Sequence, residues 1–224
     1  VKVVQLPAIA NEGRFANKLV HYIVGKCYAE SIGATVEIPR GWVGELLFEI
    51  DEPYIERPSG LGLGAFFNLP HRLVDPCLTR ETVKRLLKWR PEYLRVKEKL
   101  EVAVHLRRGD FLTDNGFPVV SPKDLLAAAR EHGCGIPLLV SESDPVNTGL
   151  FPKALSFLED FQTLMNAENV FVYPRSTFSQ MAALLGNGNI FMPYDYTAGL
   201  TSCKFGLVDP SQPVIFPTKN NSLP

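Results

Sequence analysis

Between Val102 and Phe111 an alternating apolar run stops abruptly at Arg107, Arg108, Gly109 and Asp110. Cations at the end of a strand make an anion clamp, because open α/β sheets bind ligands outside the carboxyl ends of their strands. The planar guanidinium fork holds two phosphate oxygens at once. Arg107 is therefore expected to grip a phosphorylated substrate or cofactor. His105 lies two positions earlier, so on an extended strand it leaves the same face as Arg107, and Arg108 points the opposite way. Arg108 reads most simply as the partner of Asp110 or another carboxylate. His105 reads either as part of the site or as a satisfied core group.

A second group is Arg175, Ser176, Thr177, Phe178 and Ser179, between a predicted strand and a predicted helix. The hydroxyls and N–H groups of Ser176 and Thr177 would lie at the helix amino terminus, where unsatisfied donors and positive partial charge attract phosphate. Simple helix capping by Ser176 explains the same pattern. Asp160 precedes that strand, one loop from the phosphate turn. A carboxylate there could accept from guanine N1–H and N2–H together, or from uracil N3–H alone. Near the amino terminus, Glu12 could be a general base, Arg14 a second cation and Asn17 an orienting amide, though each also suits a surface or capping position. Glu142 and Asp144 end a further predicted strand and mimic an acidic metal site, or are turn residues before Pro145.

The elements that must position these groups follow from periodicity. Val1 to Leu6 reads as a buried strand. A polar turn follows over residues 11–14, then Phe15, Leu19, Tyr22, Ile23, Cys27 and Ala29 recur at helical spacing up to Gly33. Ala34 to Ile38 completes a βαβ unit. Residues 39–78 hold five prolines and glycines at 60, 62 and 64, and read as irregular. Thr79 to Leu100 is a basic helical stretch interrupted by Pro91, joining two halves. Beyond it come a strand at 101–106, a helix from Ser121 and Pro122 to about Glu131, and a strand at 137–141. A helix at 155–167, a strand at 170–173, a helix at 176–185 and a strand at 189–192 follow. Alternating strands and helices predict a parallel sheet covered on both faces. From Asp209 onward the chain is proline-rich and expected to be extended.

With 224 residues, 46% hydrophobic and 21% charged, the composition suits one large domain or two small ones. A net charge of -1 and the lack of a basic-aromatic pattern argue against nucleic acid as a partner. No apolar run reaches the roughly 18 residues of a membrane span, and no signal peptide is expected. Cys27, Cys77, Cys134 and Cys203 are widely spaced without a Cys-x-x-Cys pair, so they read as reduced thiols of a cytoplasmic chain. A strand-like start at Val1 suggests a processed chain or one domain of a longer polypeptide.

The motifs and their order, over about residues 1–40 and 101–193, resemble the fucosyltransferase superfamily, which includes protein O-fucosyltransferases and α1,2- and α1,6-fucosyltransferases. Residues 13–17 resemble the Gly-Arg-Phe-Gly-Asn segment of one protein O-fucosyltransferase group, and Glu12-Gly13 the Gly-Glu-Gly-Phe-Asn segment of another, whose glutamate is the proposed base. His105-Leu-Arg-Arg-Gly-Asp110 is similar to the His-x-Arg-Arg signature, and Ser176-Thr-Phe-Ser179 to the Ser-Thr-Phe-Ser turn. Asp160 sits where family members place a base-reading aspartate. Ala16-Asn-Lys18 departs from the more usual Gly-Asn-Gln, and residues 41–100 match no family segment.

The resemblance implies an α/β, GT-B-like glycosyltransferase with two small Rossmann-like halves facing a cleft. Residues 1–98 would be the acceptor side and 99–224 the nucleotide-sugar-binding side. Transfer would be inverting, with no metal and no cofactor. Arg107 would hold the donor pyrophosphate, with His105, Asp160, Ser176, Thr177 and Phe178 binding the donor. Glu12 would be the base, and Arg14 and Asn17 would orient the acceptor; Glu45, Glu49 and Asp51 are alternatives for the base. Related plant enzymes of this fold use UDP-β-L-rhamnose, so the donor is GDP-fucose or UDP-L-rhamnose and the acceptor a glycan hydroxyl. Two alternatives remain open: a metal-dependent transferase using Glu142 and Asp144, and a non-catalytic module that binds a nucleotide sugar or glycan.

Overall fold

The computed structural model describes residues 2–11, 14–57, 61–63, 71–95, 98–107, 120–141, 157–195 and 204–214. The chain divides into two units, one made of residues 1–95 with 210–214 and the other of residues 96–209 with 215–224.

The first unit begins with β1 (Lys2–Gln5), α1 (Ala8–Asn11), α2 (Phe15–Ser31) and β2 (Ala34–Glu37). Strands β1 and β2 are parallel, with Lys2 opposite Ala34 and Gln5 opposite Glu37. Helix α2 approaches the sheet closely at Gly25, where a Cβ would come within 2.5 Å of the Leu6 side chain. Gly33 ends the helix in the left-handed region (φ 63°), a conformation that costs glycine little.

Residues 39–78 hold more order than their prolines suggested. They contain α3 (Val43–Leu47), β3 (Leu61–Gly62), α4 (His71–Val74) and a 3-10 turn (Asp75–Cys77). Strand β3 joins the other side of β1, giving the parallel order β2-β1-β3. A two-residue strand has no periodicity to read, so only its partner defines it. Among the described residues, the stretch from Thr79 is helical only over α5 (Arg80–Leu86), where the Thr79 hydroxyl accepts from Thr82 N at 3.2 Å. Pro91 excludes the helical conformation from the residue before it. The chain becomes extended instead, and Trp89 bridges to Phe48 with ring centroids 4.4 Å apart. Residues 210–214 return to this unit through Arg80 N to Pro210 O and Val214 N to Leu78 O.

The second unit contains β4 (Leu100–Leu106), α6 (Pro122–Glu131), β5 (Leu138–Ser141), α7 (Phe157–Met165), β6 (Ala167–Phe171), α8 (Thr177–Leu185), β7 (Asn189–Asp195) and β8 (Lys204–Val208). The sheet order is β5-β4-β6-β7-β8. The first four strands are parallel and β8 is antiparallel to β7. This edge strand departs from the all-parallel expectation. Strand β7 also runs beyond Met192, because the register shifts between Pro193 and Asp195. Such an irregularity accommodates a proline, which cannot donate to a regular ladder.

The sheet is covered on both faces, as the alternation of β4 requires. Val102, Val104 and Leu106 join a buried cluster with Leu125, Ala128 and Ala129 of α6. His105 alternates to the other face and meets Ser176 and Phe178. Ser121 caps α6 by accepting from Asp124 N at 3.2 Å, with Pro122 in the first turn. Both residues act as their positions in the sequence predict.

Candidate functional site

The parallel registers place Val104 beside Phe171 and Leu106 beside Ser141. Arg107 therefore leaves β4 at the carboxyl edge of the sheet, the same edge at which β6 ends. The chain after β6 turns through residues 172–176 into α8. Arg175 in this turn has φ 58°, a left-handed conformation uncommon for a residue with a side chain. Ser179 stabilises the turn: its hydroxyl accepts from Tyr173 N at 3.2 Å and donates to Ser176 O at 3.3 Å.

Ser176 occupies the N-cap position of α8 but makes no side-chain capping bond. Its hydroxyl instead lies 3.2 Å from His105 Nδ1, and both groups are buried. Simple capping is thus not the role of this hydroxyl. The contact joins the end of β4 to the start of α8. Arg107, two residues along from His105, is also buried.

His105 is an uncharged imidazole. Burial, followed by the nearby Arg107 charge, lowers its pKa to about 3. A second cation beside Arg107 is thereby avoided. Aromatic rings surround the histidine: Phe178 at 5.5 Å and Tyr173 edge-on at 6.2 Å. Phe178 meets Phe161 edge-on at 5.2 Å. Asp160, buried in the first turn of α7, is the neighbour of Phe161 in the chain. His105, Ser176 and Phe178 are brought together directly; Arg107 follows His105 by two residues, and Asp160 precedes Phe161, whose ring meets Phe178. Thr177 is half-buried in the first turn of α8.

Tyr173 is a contributor that the sequence alone did not single out, whereas Ser179 belongs to the turn motif named above. The Tyr173 hydroxyl accepts from Val120 N at 2.9 Å, tying the turn to the segment that enters α6. A tyrosine at the end of an apolar strand looks like any core residue. Its distant partner is what distinguishes it.

Of the amino-terminal candidates, Glu12 lies outside the described residues. Arg14 is exposed at the N-cap position of α2, and Asn17 is half-buried in the first turn. Among the alternatives for the base, the Glu45 carboxylate accepts from the backbone N–H groups of Gly41 at 2.6 Å and Trp42 at 3.2 Å. Glu45 thus caps its own helix. Glu49 and Asp51 are exposed. Arg108, Asp110, Glu142 and Asp144 lie outside the described residues. Among the described residues, no group of three or more His, Cys, Asp or Glu side chains could hold a metal ion. No described helix is long and apolar enough to cross a membrane.

No protein-family model and no curated protein sequence matches the chain. Solved structures match it in fold. Fucosyltransferase NodZ from Bradyrhizobium aligns at 16% identity with a TM-score of 0.57, over 93% of this chain and 98% of that one. POFUT1 in complex with GDP-fucose aligns at 12% identity and a TM-score of 0.53, over 92% and 98%. The bacterial iron-containing dodecameric glycosyltransferase TibC, from enterotoxigenic E. coli H10407, aligns at 12% identity and 0.50, over 98% and 72%. Two α/β units with separate sheets, matched over nearly the whole chain, give this protein the GT-B-like fold seen in fucosyltransferases.

Proposed function

We propose that this protein is a nucleotide-sugar-dependent glycosyltransferase that moves a 6-deoxy-L-hexose onto a glycan hydroxyl with inversion. The observation that carries this reading is the His105–Ser176 contact, which joins the strand end bearing Arg107 to the start of α8. Anion-binding groups at the carboxyl edge of an α/β sheet suit a diphosphate. NodZ, an α1,6-fucosyltransferase co-crystallised with GDP, and POFUT1, in complex with GDP-fucose, share the fold.

In this mechanism the donor diphosphate leaves with growing negative charge. Arg107 and the donors of the Ser176–Thr177 turn stabilise that charge without a metal, at groups already oriented before reaction. Neutral His105 fixes the Ser176 hydroxyl and leaves the guanidinium as the local cation. Asp160 accepts from the base, and Phe178 packs beside the donor. The anomeric carbon passes through an oxocarbenium-like state. The acceptor hydroxyl attacks the face opposite the diphosphate, converting a β-L donor into an α-L product. Glu12 takes the hydroxyl proton, while Arg14 and Asn17 orient the acceptor. Residues 1–98 supply the acceptor side and residues 99–224 the donor side. GDP-fucose is the first donor to test, and UDP-L-rhamnose the second.

The decisive experiment has two steps. A thermal-shift series with GDP, UDP, dTDP and ADP identifies the base, because a ligand that binds only the folded chain raises its melting temperature. Radiolabelled donor then reports hydrolysis or transfer. Selective stabilisation by GDP or UDP with release of labelled sugar supports the reading. Binding without turnover on a panel of glycan acceptors points to a non-catalytic nucleotide-sugar module, and no binding to any nucleotide overturns both.

A further inference from the structure

Ser176 has two hydrogen-bond donors, its backbone N–H and its hydroxyl. The N–H is spent inside the turn, on Tyr173 O at 3.0 Å. The hydroxyl is therefore the donor that Ser176 has left for a ligand. It makes no capping bond to α8 and lies 3.2 Å from Nδ1 of His105. Two arrangements fit that distance. In one, the hydroxyl donates to a bare Nδ1, and Ser176 presents only lone pairs to a ligand. In the other, Nδ1–H donates to Ser176 Oγ, and the hydroxyl proton is left to point away from the ring.

The surroundings of the histidine choose between them. Burial and the Arg107 charge keep the ring neutral, so one nitrogen carries a proton and the other is bare. Among the described residues the ring makes one hydrogen bond, the contact with Ser176. Phe178 at 5.5 Å and Tyr173 edge-on at 6.2 Å pack around it, and the Arg107 guanidinium has no lone pair to offer Nε2–H. A buried N–H without an acceptor is rarer than a bare acceptor without a donor. The proton therefore belongs on Nδ1, where Ser176 Oγ accepts it.

We infer that His105 is a positioning residue: its Nδ1–H donates to Ser176 Oγ and so directs the Ser176 hydroxyl proton outward, toward a ligand whose oxygens only accept hydrogen bonds. A diphosphate is such a ligand. An ammonium or amide N–H would meet a repelling hydrogen at the same place. This tautomer is the reverse of the one that predominates in a free histidine side chain. The choice of a diphosphate rests on the proposed transferase function, whereas the direction of the bond does not.

Long-range proton–nitrogen NMR of the nitrogen-15-labelled full chain near neutral pH reads the tautomer, because a bare imidazole nitrogen resonates far downfield of a protonated one. The chain has four histidines, and proximity to the Phe178 and Tyr173 rings identifies His105. The expected spectrum has a protonated Nδ1 and a bare Nε2, before and after addition of inorganic pyrophosphate. A bare Nδ1 with a protonated Nε2 overturns the proposal, as does a charged ring. Pyrophosphate titrations of variants give the second readout. The side-chain amide in His105→Asn places an N–H near where Nδ1 stands, so affinity should stay within about threefold. His105→Leu should lose about tenfold or more. In a Ser176→Ala background, His105→Leu should cost nothing further, and additive losses overturn the proposal. If no nucleotide and no pyrophosphate binds, the transferase reading fails while the spectrum still decides the direction of the bond. If His105→Leu does not fold, the spectrum of the unaltered chain decides alone.

Discussion

Ser176 Oγ lies 3.2 Å from Nδ1 of His105, 71 residues earlier in the chain. The contact takes a hydroxyl from the N-cap position of α8 and commits it to the strand that carries Arg107. Ser176→Ala should therefore act twice. Leaving a buried imidazole nitrogen without its partner should cost about 1–3 kcal/mol of stability, visible in a urea titration. Nucleotide affinity should fall about tenfold or more by calorimetry. Unchanged stability and affinity would remove the contact from any account of the site.

Arg107→Ala should lower turnover by about 10²–10³-fold, the effect of removing an oriented charge-stabilising donor. Arg107→Lys should recover only part of it, because an ammonium lacks the planar fork. A second readout concerns the histidine. The Arg107 charge helps to hold the His105 pKa down, so Arg107→Ala should raise it, measured by NMR titration of the ring protons. Near-normal turnover with an unmoved histidine would rule out the clamp.

Two buried histidines make stability depend on pH. His105 is lowered to about 3 and His21 to about 4, against 6.5 for a free imidazole, with burial as the leading cause. Above pH 6.5 both are neutral in the folded and unfolded chains, and their full contribution to stability is present. As pH falls below 6.5 the unfolded chain takes up protons that the folded chain refuses. Stability should drop by up to about 1.4 kcal/mol per pH unit for each histidine until the folded values near 4 and 3 are approached. Both His21 ring nitrogens are buried without a hydrogen-bond partner. His21→Phe should therefore flatten part of the slope between pH 6.5 and 4 in urea titrations. An unaltered slope would show that His21 titrates normally.

Glu12→Gln should keep donor binding and lose about 10²–10⁴-fold in transfer, the range of a general base. Glu45→Gln should behave differently. Its carboxylate holds two backbone N–H groups at the start of α3, so its removal should cost stability, with little change in transfer at a temperature where the variant is folded. Equal transfer rates for Glu12→Gln and the unaltered chain would move the base elsewhere.

EDTA should leave transfer unchanged if, as proposed, Arg107 and the start of α8 supply the positive charge opposite the diphosphate. Strict dependence on added manganese would instead favour Glu142 and Asp144 as a metal site. Alanine substitutions at those two positions would then abolish activity.

Local features were legible along the chain. The Ser121–Pro122 pair starts α6, Gly33 ends α2, and the alternation of residues 102–106 marks a strand covered on both faces. Each is decided within a few residues, by capping bonds, backbone sterics or the two-residue period of a strand. The change from apolar residues to charge at Arg107 likewise marks the end of β4 at Leu106. Strand β8 and the two-residue β3 were not legible, because each is defined by the strand beside it rather than by a pattern of its own.

The βαβ start of the chain and the alternation of strands and helices from β4 to β7 were determined by the sequence alone. Tertiary structure decided which eligible groups meet. It paired Ser176 with His105 rather than with its own helix, and the Tyr173 hydroxyl with the backbone of Val120. A hydroxyl, carboxylate or thiol has several partners of similar strength within reach of its own backbone. The choice among them depends on what a distant segment buries beside it, because removing water raises the cost of every unmade bond.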